Sequence, residues 1–342
     1  MTNQVQQTTL GFIAKEIFVT SAGLEIVENF LDVAAISFFA IMGIVTNTII
    51  IIVFCTQGFQ DSVNISLTAM AIWELFKCIV GLAMRVYGPL GWISPVYRKT
   101  WKNISTPTLN YVQVFANYVT YVMAAYVAFE RCLCVALPFK VKSIFVPRLT
   151  LVMMILISIV VILSFGIIFF VYDIYWMVDP IYNQSIIVYT NNAFYRKYGS
   201  GVIEYFTYIG FLNPVFCFVV IFLCTVVIFY QLHKTSKFRS KSIYKEKEKE
   251  MSSREKQAVK MLLVVIIVYI LALLPRFLLH AGKMVEPEFY YLRAYHNLFN
   301  VCAYIVMTVD FINASVHLFI YLKMSTNFRL TFFNLFPWCR RQ

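Results

Sequence analysis

The feature that most constrains this chain is that seven separate stretches are each apolar over the roughly 20 residues a helix needs to cross a bilayer. They run over roughly 30–56, 63–87, 106–135, 148–172, 202–231, 257–281 and 295–321. Each is predominantly apolar, and a lipid-embedded segment must satisfy its own backbone hydrogen bonds, as a helix does. The expected fold is therefore an all-α membrane protein, a seven-transmembrane helix bundle. With 60% hydrophobic against 13% charged residues, the composition excludes a soluble globular domain. A shorter amphipathic stretch, Thr326 to Phe336, is too short to cross and is expected as an eighth helix along the interface. The chain thus divides into an N-terminal segment over 1–29, the bundle over 30–325, and the amphipathic helix with a short tail over 326–342.

The net charge of +12 raises nucleic acid as a partner, but the basic residues mostly flank apolar spans and so report topology instead. Arg131, Lys140, Lys142 and Arg148, the dense run from Lys234 to Lys260, and Lys323, Arg329, Arg340 and Arg341 all fall on one side. The positive-inside bias makes that side cytosolic. A multi-pass protein of the plasma membrane is expected, with its N-terminus outside and its C-terminus in the cytosol. The polar start carries Lys15, Glu16, Glu25 and Glu28 and no cleavable signal pattern, so the first span is expected to serve as the signal anchor. The eight cysteines fall within spans or on the cytosolic side, where free thiols are expected. No metal-ligand spacing and no nucleophile–base set stands out, so neither a cofactor nor an enzyme is expected. The sequons at Asn103 and Asn183 lie on the expected outside and are glycosylation candidates. Cys339 is either a palmitoylation site or a plain thiol. The alternating Lys245–Glu250 run reads as a solvated helical extension of the flanking spans.

Polar residues inside the spans carry the rest. Asn47 closes Gly43–Asn47; Asn64, Leu67, Met70, Ala71 and Glu74 step along the second span; Glu130-Arg131-Cys132 ends the third and is followed by Pro138. Pro214 and Pro275 interrupt the fifth and sixth, and Asn313 through Tyr321 leads to Phe328-Arg329. In that order the pattern resembles the rhodopsin-like (class A) G-protein-coupled receptors along essentially the whole chain. The segments Glu130–Cys134 and Tyr321–Ser325 are similar to those of invertebrate chemosensory and FMRFamide-type neuropeptide receptors. The resemblance implies a receptor for an extracellular small-molecule or peptide ligand that signals to a heterotrimeric G protein by outward movement of the sixth helix. It also implies a switch in which Arg131 is held at rest by Glu130 and by Glu255, at the foot of the sixth helix, with Tyr321 as a further part. The chain departs from the family pattern in several places. Thr106 stands where a disulfide cysteine is usual, the loop from Tyr172 to Gly201 has no cysteine, and Leu273, Phe222 and His317-Leu318 replace usual Trp, Tyr and Asn-Pro.

Asp310, Asn313 and His317 share one helical stripe, expected to face Glu74, Lys77 and Asn47. Two readings stand. In one, Lys77 or His317 neutralises Glu74 in place of the sodium that the resemblance implies there; in the other, the group is a static ion-pair network. By place in the family pattern, the ligand pocket takes Gln113, Asn117, Tyr118, Phe206, Arg276, Phe277, His280 and Met307. Gln113 replaces the aspartate of amine receptors and Phe311 the retinal lysine of opsins, which argues against both ligands. Arg276 either binds a ligand carboxylate or pairs with Glu204 or an outer-loop acid. The alternatives to a signalling receptor are a seven-helix ligand-gated channel or transporter, or a decoy that binds without signalling.

Overall fold

The computed structural model describes residues 18–136, 146–239, 246–290 and 293–339, with the side chains of 232–256, 258, 259 and 339 left aside. Among the described residues, seven helices are long and apolar enough to cross a membrane: Ser21–Gln57, Ser62–Ile93, Leu109–Ala136, Pro147–Phe170, Ala193–Gln231, Lys260–Val285 and His296–Met324. They overlie the seven apolar stretches, and we call them the first to seventh spans. The fifth continues as helix to Arg239, and the sixth is preceded by helix from Glu246.

Local chemistry sets the boundaries. The first span starts before its apolar stretch because the Thr20 hydroxyl accepts the Gly23 amide at 3.1 Å and caps it. Its Glu28–Ala35 segment is π-helical, which widens the turn and turns Glu28 and Asp32 inward. Gly58, at φ 84°, terminates it in a conformation that favours glycine. Asp61 caps the second span by accepting from the Val63 amide at 3.1 Å, and Pro147 occupies the first turn of the fourth. Ser325 caps the short helix Thr326–Leu335, which buries Phe328 and Phe332; Phe328 packs against the rings of Phe54 and Tyr321.

The third span lies at the centre, in contact with the second, fourth, fifth and sixth, and is buried on nearly every turn from Gln113 to Glu130. The fourth is the most apolar and the least covered by protein, as a lipid-facing helix should be. Gly81 and Gly43 mark close approaches: a Cβ on Gly81 would overlap the Phe311 ring, and one on Gly43 the Cys78 sulfur.

Two features of one end were not expected from hydropathy. A helix over Pro95–Ser105, capped by Ser94, lies between the second and third spans. Between the fourth and fifth lies a hairpin of β1 (Tyr172–Asp179) and β2 (Gln184–Asn191), paired antiparallel from Tyr172–Asn191 to Asp179–Gln184. The helix packs on β2, where the Asn103 amide donates to the Ile187 carbonyl at 2.7 Å. We refer to this as the hairpin end and to the opposite one as the Arg131 end.

Candidate functional site

Polar side chains run in a column down the bundle, and the order begins at the hairpin end. There Arg85, fully buried on the second span, reaches three helices. Its Nη2 donates to Asp32 Oδ1 at 2.7 Å, its Nε to the Asp32 carbonyl at 2.9 Å, and its Nη1 to the Gly81 carbonyl and Gln113 Oε1, each at 2.9 Å. Tyr87 donates to the other Asp32 oxygen at 2.6 Å. The π-helical turn is what delivers Asp32 to this place. Neither Asp32 nor Arg85 stood out as a site residue in the sequence, although both are ionisable groups inside apolar stretches, the signal that singled out Glu74.

One layer deeper, Arg276 on the sixth span pairs with Asp310 on the seventh, and Tyr121 on the third donates to the other oxygen of the same carboxylate. The Arg276 guanidinium lies 5.4 Å from the Tyr118 ring centroid. Its partner is thus neither Glu204 nor a loop acid but Asp310, whose carboxylate turns away from Glu74. Lys77 pairs with Glu74, donates to Asn117 Oδ1 at 2.9 Å, and reaches the Asp310 carbonyl at 3.2 Å. Tyr269 donates to Glu74 at 3.2 Å.

Between these groups lies a cavity of about 10 Å³, on the order of what one water needs. Gln113, Asn117, Arg276 and Met307 line it together with Lys77 and Asp310. Two of its buried donors have no partner: Arg276 Nε and Asn117 Nδ2. Tyr118 and His280 do not line it; they pair with each other, 3.3 Å apart between the phenol oxygen and Nε2. Phe206 and Phe277 do not line it. They pack instead with Phe165, and with Phe211 and Phe218.

A second cavity of about 10 Å³ lies nearer the Arg131 end, bordered by Asn47, Glu74, Tyr269, His317 and Tyr321. Asn47 donates to the Gly43 and Ala314 carbonyls at 2.8 and 2.9 Å. His317 stacks 5.1 Å from Tyr269, with neither ring nitrogen bonded, and the Asn313 amide is likewise without a partner. Of the stripe Asp310, Asn313 and His317, Asp310 lines the first cavity, His317 borders the second together with Glu74, and Asn313 lines neither.

At the Arg131 end, Arg131 Nη2 donates to Glu130 Oε1 and to the Ser62 hydroxyl, each at 2.8 Å. Ser62, at the start of the second span, was not singled out in the sequence. Glu255 stands on the helix leading into the sixth span, but its side chain, like that of Cys339, lies outside the described residues. At the other end Asn103 is half-buried against the hairpin, whereas Asn183 is exposed at the hairpin turn, at φ 49°.

A model of the family described as "Serpentine type 7TM GPCR chemoreceptor Srw" matches residues 34–339. The chain belongs to this family. A comparison with curated proteins gives no match. Membership in Srw makes the protein a G-protein-coupled-type chemoreceptor, and its seven apolar helices make it a multi-pass membrane protein. The column of polar groups is thus the interior of a receptor bundle.

Proposed function

We propose that this Srw receptor faces the extracellular medium with its hairpin end, binds a ligand that reaches a single oxygen atom into the water-sized cavity beside Arg276, and signals to a heterotrimeric G protein at the Arg131 end of the plasma membrane. The observation that carries the reading is the Arg276–Asp310–Tyr121 cluster, which ties the sixth, seventh and third spans together at the wall of that cavity. The guanidinium charge is already neutralised by Asp310, so an incoming carboxylate would add an uncompensated buried charge. What the cavity leaves open are two donors, and a donor without a partner is relieved by an acceptor. The ligand therefore presents a carbonyl, ether or similar uncharged acceptor oxygen, on a small molecule or a peptide, to Arg276 Nε and Asn117 Nδ2. Engaging that oxygen draws Arg276 from Asp310 and loosens the sixth helix from the seventh.

Outward movement of the sixth helix then frees Arg131. Arg131 is held by Glu130 and Ser62, and on this reading Glu255 adds a second acid from the helix that leads into the sixth span. The test is a screen of uncharged, acidic and basic ligands on cells expressing the receptor, read by second-messenger assays for each G-protein class. Responses to uncharged acceptor ligands that fall in Asn117→Leu at equal surface expression support the reading. Responses confined to acids, or an agonist-driven ion current without G protein, overturn it.

A further inference from the structure

Strand β1 is apolar on both faces and covered on neither. Ile174, Tyr175, Trp176, Met177 and Val178 are all exposed, Trp176 by 65%. An edge strand of this kind left in water invites aggregation, and soluble proteins break it with charge. Here the hairpin's only charges are Asp173 and Asp179, and Asp179 is turned inward onto Lys99 of the loop helix at 2.5 Å. The loop helix covers β2, so β1 is the strand left outermost.

Two observations identify what covers it. The strand begins directly after the fourth span, the least buried of the seven, whose last residues Phe169 and Phe170 are themselves exposed. β2 runs equally directly into the fifth span, whose exposed Tyr198 and Tyr205 continue the same belt. Trp and Tyr are the side chains that favour the headgroup level, one end apolar and the other wet. At that level water still reaches the free backbone edge of β1, so the strand does not need a third strand to satisfy it.

We propose that β1 rests on the phospholipid headgroup region of the leaflet at the hairpin end, with Trp176 and Tyr175 as its anchors. Among the described residues no cysteine lies in the hairpin. Lipid contact along β1 and the Lys99–Asp179 clasp at its tip together hold the loop that lies between the fourth and fifth spans, without a covalent tether.

The test reconstitutes the full chain in nanodiscs of phosphatidylcholine, with and without bromine on the acyl chains near the headgroup, and compares wild type with Trp176→Phe. The emission that Trp176→Phe removes is expected to be quenched by brominated lipid and spared by aqueous iodide. Quenching by iodide alone would put β1 in water and overturn the proposal. Protection from both quenchers would mean that protein covers the strand, a second copy or a peptide, and would overturn it equally. Should Trp176→Phe fail to fold, Val178→Asp tests the same point, since a charge on β1 is expected to lower the lipid quenching of the total tryptophan emission relative to wild type. No ligand or G protein enters the measurement, so its failure leaves the receptor reading standing.

Discussion

Arg85 and Arg276 are both buried arginines paired with an aspartate, yet they sit in opposite circumstances. Arg85 uses its whole guanidinium: every nitrogen has a partner, on the first, second or third span. Arg276 has its charge met by Asp310 but its Nε left over beside a cavity. The same chemistry therefore makes a fixed strut in one place and an adjustable link in the other. The difference lies in the neighbourhood, since Arg85 is closed in by Gln113, Gly81 and the π-turn of Asp32, while Arg276 borders the space that a ligand oxygen or a water can enter.

Five variants sharpen or break the account. The largest effect is expected from Arg85→Ala, which leaves Asp32 buried and unpaired at a cost of about 3–5 kcal/mol. Thermal melting in detergent and surface expression should both fall. Arg276→Ala is expected to cost less, about 1–3 kcal/mol: Asp310 keeps Tyr121 just as Asp32 keeps Tyr87, but only Asp310 borders a cavity that admits water. Equal losses from the two would erase the distinction. Next, Arg276→Met combined with Asp310→Leu replaces a buried pair by apolar groups and should restore melting to at least the wild-type level while abolishing the agonist response. A double variant that responds normally would remove both residues from the site.

Glu255→Ala is expected to raise basal second-messenger production several-fold at equal surface expression. An unchanged basal level would leave Glu130 and Ser62 as the whole hold on Arg131. The smallest effect is expected at the hairpin clasp. Burial alone would raise the Asp179 carboxyl, but the Lys99 ammonium and the Ile181 amide, 2.8 Å from Oδ1, hold it below its ordinary value. A carboxyl whose folded pKa is depressed contributes stability above its unfolded pKa, near 3.9, and loses it as the pH falls through the folded value. With Lys99 partly exposed, the contribution is about 1 kcal/mol or less. Protection factors of the hairpin amides, with the intrinsic pH dependence of exchange divided out, should fall on acidification in the wild type and not in Asp179→Asn.

The seven spans were legible because a bilayer imposes length and composition on each of them, and the apolar stretches fall on the observed helices. Gln113, Asn117, Arg276 and Met307 gathered around one cavity because helical spacing from Arg131 and Pro275 fixes which turn each occupies. Partnership was harder to read. Asp310 shares a stripe with His317, but which way its carboxylate turns depends on Arg276 and Tyr121 arriving from two other helices. The Asp32–Arg85 pair depends on a π-helical turn, which hydropathy does not register. The hairpin was hidden for another reason: Tyr172–Asp179 is an apolar run too short to cross and adjoining a span, so it read as the tail of that span and the loop beyond it.

The claim that Arg276–Asp310 is the adjustable link is tested most directly by basal signalling in Asp310→Asn and Asp32→Asn, measured at matched surface expression. Removing the Asp310 charge releases the sixth span from the seventh, so Asp310→Asn should signal without agonist. Asp32→Asn should lose expression and gain no basal activity. A silent Asp310→Asn receptor with wild-type agonist potency would contradict the link.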